Sequence, residues 1–190
     1  MKTMLRSLLL ALVVASGLTS SSQAQSASTP QSTLLMSIKG GSIQGDLTGE
    51  VTQKGREGQH MLQACTHEIS VVRDPASGLP TGKRQHQPFR VVKLLNKSSP
   101  LLLQSMVVGE TIAAVTIDVW TMSAATGVET KLMSYVLRGA QVASVRPWTP
   151  NKQDSSASGY APAEEVAFTY KTITITYWNG GIESTDSWQQ

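Results

Sequence analysis

Along this chain the hydrophobic and polar positions mostly alternate with a period of two, the pattern of half-buried strands. Leu34 to Ile38 is the first strand the pattern predicts, ended by Gly40-Gly41. Gly45 to Gly58 carries Gly49, Gly55 and several charges, and reads as a loop with a short strand inside it. Met61 to Val72 reads as one longer strand. Met61, Cys65, Ile69 and Val71 fall on one alternating set, which Gln63 and His67 interrupt. Arg73 to Gln87 is then a polar excursion with Pro75, Gly78, Pro80 and Gly82 as turn-formers. A loop that long in a compact domain is usually functional or an interaction element.

Only one stretch switches to a helical rhythm. Pro88 opens a strand from Phe89 to Leu95, which Asn96, Lys97 and Ser98 interrupt. Ser99 is expected to cap a helix whose first position is Pro100, where a missing N–H costs nothing. Leu101, Leu102, Met106 and either Leu103 or Val107 supply an apolar stripe, and Gly109 stops the helix. So short a helix is marginal alone and must lie on a sheet.

Alternation then resumes. From Thr111 to Met122, Ala113, Val115, Ile117 and Val119 are expected to face inward, with Thr116, Asp118 and Trp120 facing out. Ser123 to Gly127 is a turn, Thr130 to Leu137 the returning strand, and Gln141 to Val145 another strand ending at Pro147 and Pro150. Asn151 to Pro162 is a second polar loop. Glu164 to Trp178 reads as a long strand whose apolar face switches at Lys171, as a bulge or barrel corner requires. Asn179 to Gln190 reads as frayed. Many strands of similar spacing with a single helix predict a mainly β fold, a barrel or sandwich.

The first residues change the picture of where the fold begins. Lys2 and Arg6 precede an apolar core from Leu8 to Ala15, and Ser22-Gln23-Ala24 offers small residues for cleavage. This is the pattern of a Sec-type signal peptide over residues 1–24. The apolar run is shorter than the roughly 20 residues needed to span a bilayer, so no stable membrane insertion is expected after cleavage. Gln25 to Thr33 then reads as a flexible leader, 34–178 as the folded domain and 179–190 as a tail. Removing Lys2 and Arg6 from the 16 basic residues leaves 14 against 13 acidic, a net charge of +1. A nucleic-acid partner is not expected, because it calls for clustered Lys and Arg in clear excess. Cys65 stands alone, so a monomer has no internal disulfide, and a buried inert thiol is expected.

Catalytic and ligand motifs fail on spacing. Gly78-Leu79-Pro80-Thr81-Gly82-Lys83 has three residues between its glycines where a Walker phosphate loop has four, and Arg84 replaces the magnesium-binding hydroxyl. Cys65 and His67 lie on one side of a strand, but structural zinc needs four ligands, no second Cys-His pair exists, and His60 and His86 could join them only by an accident of folding. No Gly-x-Ser-x-Gly elbow exists, and the neighbours Glu164 and Glu165 point to opposite faces of their strand. Asn96-Lys97-Ser98 matches a glycosylation sequon at chance level. The chain is read as no enzyme, with no cofactor and no metal.

Several blocks together resemble the haemolysin-coregulated protein (Hcp) family, the tube subunits of bacterial type VI secretion. They are Thr81-Gly82-Lys83-Arg84-Gln85-His86-Gln87-Pro88, Val91-Val92-Lys93, Lys97-Ser98-Ser99-Pro100-Leu101-Leu102 and Gly109-Glu110. Glu164 to Thr174 resembles the family's closing strand, and Leu34 to Gly41 its opening one. The resemblance implies a compact two-sheet β-barrel with one short helix on its side. It further implies a homohexameric ring with a lumen, stacked into a tube, which can carry small effectors and meet spike or sheath proteins. The Arg73 to Gln87 loop would then help rings meet, through Arg73, Asp74, Lys83, Arg84 and His86.

Two destinations follow from these readings. A tube subunit assembles in the cytoplasm before secretion. The signal pattern instead predicts a periplasmic or secreted protein, and keeps open an alternative, a Sec-exported binding module of the same fold.

Overall fold

The computed structural model describes residues 32–123 and 125–188, so the expected signal peptide and most of the leader lie outside the described residues. The chain opens with β1 (Thr33–Gly41), β2 (Gly45–Leu47), β3 (His60–Thr66), β4 (Ile69–Arg73), β5 (Pro80–His86) and β6 (Phe89–Leu94). One helix, α1 (Ser99–Val108), leads to β7 (Ile112–Met122), β8 (Glu129–Trp148), β9 (Ala163–Thr169), β10 (Thr172–Tyr177) and β11 (Ile182–Ser187). All strand pairs are antiparallel.

Following the pairings from β8 through β7, β1, β3, β6 and β9 returns to β8, which closes a six-strand barrel. Closure removes exposed sheet edges, and β10 with β11 continue the sheet outside it. The core is made by inward residues in register across the seam. Phe89 faces Phe168 and Val91 faces Val166, all fully buried. Each such side chain contributes about 1.5–3 kcal/mol on leaving water. The mainly β reading therefore holds, with one short helix packed on β8.

Two features explain how one sheet closes. β8 is a single strand of 20 residues where two strands were expected. Its first half pairs with β7 and β10, and its second half with β9. The changeover is at Gly139, whose φ of 59° suits glycine and whose added Cβ would lie 2.9 Å from Lys171. Opposite it the expected long strand from Glu164 to Trp178 breaks into β9 and β10 at Tyr170 and Lys171. The apolar face switches where the barrel turns. Beyond this corner β8 pairs with β9 along Gln141–Trp148, and Pro147 is accommodated there.

Several local expectations change in three dimensions. The strand expected from Met61 to Val72 ends at Thr66, and β4 starts a separate sheet with β5. A register shift between Leu62 and Ala64 also exchanges its faces, so Leu62 is buried while Met61 is 55% exposed. The polar excursion after Arg73 is a β-hairpin rather than an open loop. Residues 179–190 are not frayed throughout, because β11 pairs with β10 along its full length. Asp118 is buried rather than outward in water, accepting a 2.5 Å bond from Ser134 and pairing with Lys131 at 3.0 Å. Ala113, expected inward, is exposed. Cys65 is only half-buried, and burial pushes its thiol pKa up.

Candidate functional site: the exposed hairpin and its anchors

The residues singled out in sequence gather on or beside the β4–β5 hairpin, but not on one surface. Every β5 residue from Pro80 to Gln85 is exposed, Lys83 and Arg84 among them. Asp74 closes the hairpin tip. Its Oδ1 accepts bonds from the backbone of Ala76 (3.1 Å) and Ser77 (2.6 Å) and from the Ser77 hydroxyl (2.8 Å). The backbone bond to Ser77 leads the set of bonds that lower the Asp74 pKa. Arg73 donates to the Gly78 carbonyl at 3.0 Å. Arg73 and Asp74 therefore build the turn itself, as Asx chemistry allows.

His86 is different. Its side chain is 1% exposed, so it lies inside the hairpin's base and offers no outward contact surface. Its Nδ1 is 2.9 Å from the Tyr170 hydroxyl, and His67 Nε2 is 2.6 Å from that same hydroxyl. His86 Nε2 is 3.4 Å from Asp186, without an aligned hydrogen bond. Arg84 meets Asp186 at 2.7 Å. Trp188 lies edge-on to Tyr170, ring centres 5.0 Å apart, and Phe89 stacks on His67 at 5.2 Å. Thus the hairpin is tied to the barrel corner and to β11 by one aromatic cluster. His67 is held by Tyr170.

Tyr170, Asp186 and Trp188 were not legible as site residues. The signal was Trp188 in a mostly polar tail, which packs against His86 and Tyr170.

A second anchor holds the start of α1. Lys93 and Glu164 face each other across β6 and β9, 2.7 Å apart and 0% and 1% exposed. Ser99 donates to Glu164 at 2.8 Å and accepts from the Asn96 backbone at 3.1 Å. Asn96 Oδ1 accepts from Lys93 Nζ at 2.8 Å and from the Ser98 hydroxyl at 2.7 Å. With its oxygen so engaged, Ser99 is not the N-cap. That position is Ser98, which makes no side-chain cap bond, and Pro100 sits in the first turn. Glu165 instead pairs outward with Arg90 at 2.9 Å, so the two glutamates do point to opposite faces.

Glu110 fastens the helix's other end. Its carboxylate accepts from the backbones of Ile43 (2.6 Å) and Gln44 (2.7 Å) and from Ser105 Oγ (2.5 Å). Burial pushes its pKa up, but these bonds outweigh it and bring it down to about 2. Between the two ties only Leu102 and Ser105 of α1 are buried, with Met106 partly packed on the core. Leu101, Leu103, Val107 and Val108 lie exposed beside Gln104, so the expected stripe is only partly inward.

This arrangement supplies anchored, water-facing surfaces. Among the described residues no three His, Cys, Asp or Glu side chains group to hold a metal ion. None of the described helices is long and apolar enough to cross a membrane.

Comparison with known proteins agrees with the fold. The family described as "Type VI secretion system effector, Hcp" matches residues 35–177. The major exported protein of Pseudomonas aeruginosa is 36% identical over 152 residues, which cover 80% of this chain and 88% of that protein. A crystal structure of an Hcp protein superposes with a TM-score of 0.76 at 25% identity, covering 84% of this chain and 99% of that one. A secreted Hcp protein from Pseudomonas aeruginosa gives 0.66 at 28% identity, covering 84% and 100%. Proteins of this family are structural and are secreted by the type VI system. Matched by the family over residues 35–177 and by a relative at 36% identity, this chain belongs to the Hcp family of type VI secretion.

Proposed function

We propose that this protein is a ring-forming tube subunit that acts without catalysis, as a homohexamer whose lumen can hold small effector proteins. The observation that carries this reading is the family match over residues 35–177 together with a hairpin exposed along nearly all of β5. In this reading Lys83 and Arg84 meet the next ring, while Arg73 and Asp74 hold the turn that presents them. His86 serves from inside, by fixing the hairpin's base. The exposed leucines and valines of α1 and the outer edge of β11 supply further apolar and backbone surface for neighbours within a ring.

Sedimentation and negative-stain imaging of the chain beginning at Gln25 test it. Six-fold rings with an open centre are the expected result, and a monomer at high concentration would overturn the reading.

The signal pattern at residues 1–24 favours a second destination. An exported relative of the same fold would act as a binding module in the periplasm or outside the cell. Fractionating the native host and sequencing the N-terminus separates the two. A protein starting at Gln25 outside the cytoplasm supports export through Sec, and an intact Met1 start supports cytoplasmic assembly.

A further inference from the structure

The hairpin's base holds two histidines that share one tyrosine hydroxyl, and that hydroxyl has a single proton to place. His67 sits between β3 and β4, His86 ends β5, and Tyr170 lies at the barrel corner between β9 and β10. His67 and Tyr170 are 103 residues apart in sequence. The Tyr170 hydroxyl is fully paired with both rings neutral. His67 Nε2–H donates to the Tyr170 oxygen and Tyr170 O–H donates to His86 Nδ1, while His86 Nε2 lies 3.4 Å from Asp186 without a hydrogen bond.

One added proton can still be absorbed. If His86 takes it, its Nδ1–H donates to Tyr170, the hydroxyl turns to His67 Nε2, and His67 moves its own proton to Nδ1. Asp186, 3.4 Å from His86 Nε2, faces that charge. A second proton costs the cluster a hydrogen bond, because both facing ring nitrogens are then donors and the Tyr170 proton has no acceptor between them. Two like charges would also flank one hydroxyl.

We propose that His67, Tyr170 and His86 form a proton-operated latch that holds the β4–β5 hairpin to the barrel corner and releases it once both rings are protonated. The latch regulates the contact surface assigned above, and so rests on that reading for its biological use.

Charged and apolar groups both surround the two rings. Arg84 on β5 and Asp186 on β11 face His86, whereas Trp188 and Phe89 pack on the cluster without charge. His67 lines a surface cleft of about 290 Å³ with Glu68 and Arg90, which gives water a route to its ring. Burial, and then the neighbouring His86, lower the His67 pKa from its ordinary 6.5. A neutral ring is therefore favoured in the closed state. The hold is complete above about pH 6.5 and weakens as the pH falls below it.

Hydrogen exchange of the full chain between pH 8 and 5, corrected for intrinsic rates, tests the latch. Amides of β4 and β5 should keep constant protection down to about pH 6.5, then lose up to tenfold per pH unit, the limit for one linked proton. Amides of β6 and β9 should stay protected. His67→Gln keeps an N–H donor for Tyr170 but cannot titrate, so it should flatten the profile. Tyr170→Phe should lower hairpin protection about tenfold above pH 6.5, where the latch is closed, and its profile should converge with that of the unaltered protein as the pH falls. A flat profile in the unaltered protein, or an unchanged slope in His67→Gln, overturns the proposal. Sedimentation of the same samples separates the two readings. Rings absent at every pH defeat the assembly reading, while the exchange profile still decides the latch.

Discussion

The Lys93–Glu164 and Arg84–Asp186 pairs are both 2.7 Å long, yet they occupy opposite environments. The first lies wholly inside the barrel wall, with Ser99 and Asn96 filling its remaining hydrogen-bond positions. The second is 42% and 23% exposed, on the hairpin side of β11. Length alone says nothing of strength here. Water screens the outer pair, and nothing but its own partners answers the charges of the inner one. The seam between β6 and β9 is part of the closed barrel, while the hairpin is a separate two-stranded sheet.

The most severe test of this contrast removes one member of the inner pair. Lys93→Met should cost about 3–5 kcal/mol in urea denaturation, because Glu164 is left buried and unpaired. The double change Lys93→Met with Glu164→Leu should recover most of that loss. If the single change cost no more than a surface substitution, the contrast would fail.

Glu110 sharpens it at the helix's other end. Glu110→Ala should cost about 2 kcal/mol, since the Ile43 and Gln44 N–H groups lose their acceptor. The pH dependence has a definite sign. A carboxyl held at about 2, against an ordinary 4.5, contributes fully above about pH 4.5 and loses its contribution as pH falls toward 2. Thermal melts across that window should fall for the unaltered protein and change less for the variant.

The smallest global effect belongs to the outer pair. Arg84→Ala should change stability by less than about 1 kcal/mol. On the assembly reading it should nonetheless reduce ring stacking, counted as stacks against single rings in negative stain. A large loss of stability would show the hairpin to be part of the core after all.

How much was legible differs element by element. Gly109 was readable as a helix stop because only backbone matters there, and it sits in the left-handed region at φ 64°. Leu102 was readable as a helix contact, but Leu103 and Val107 were not separable from it. Which leucine turns inward depends on where β8 lies. Ser99 looked like a cap because serine caps helices, and it was diverted by Glu164, 65 residues away. His86 looked like part of a solvated basic cluster, since its neighbours Lys83 and Arg84 are. Tyr170, Asp186 and Trp188 bury it from three remote positions.

The sequence by itself determined the mainly β character, the place of helix α1, the opposite facing of Glu164 and Glu165, and the family through its ordered blocks. These follow from neighbours in the chain, where alternation, glycine and proline act over a few residues. Only the tertiary structure decided that β8 is one strand bent at Gly139, that β11 pairs with β10, and that Lys93 meets Glu164. It also decided that the exposed hairpin hangs on two histidines and a tyrosine. Those outcomes depend on register between segments far apart in sequence, and sheet closure sets that register all at once.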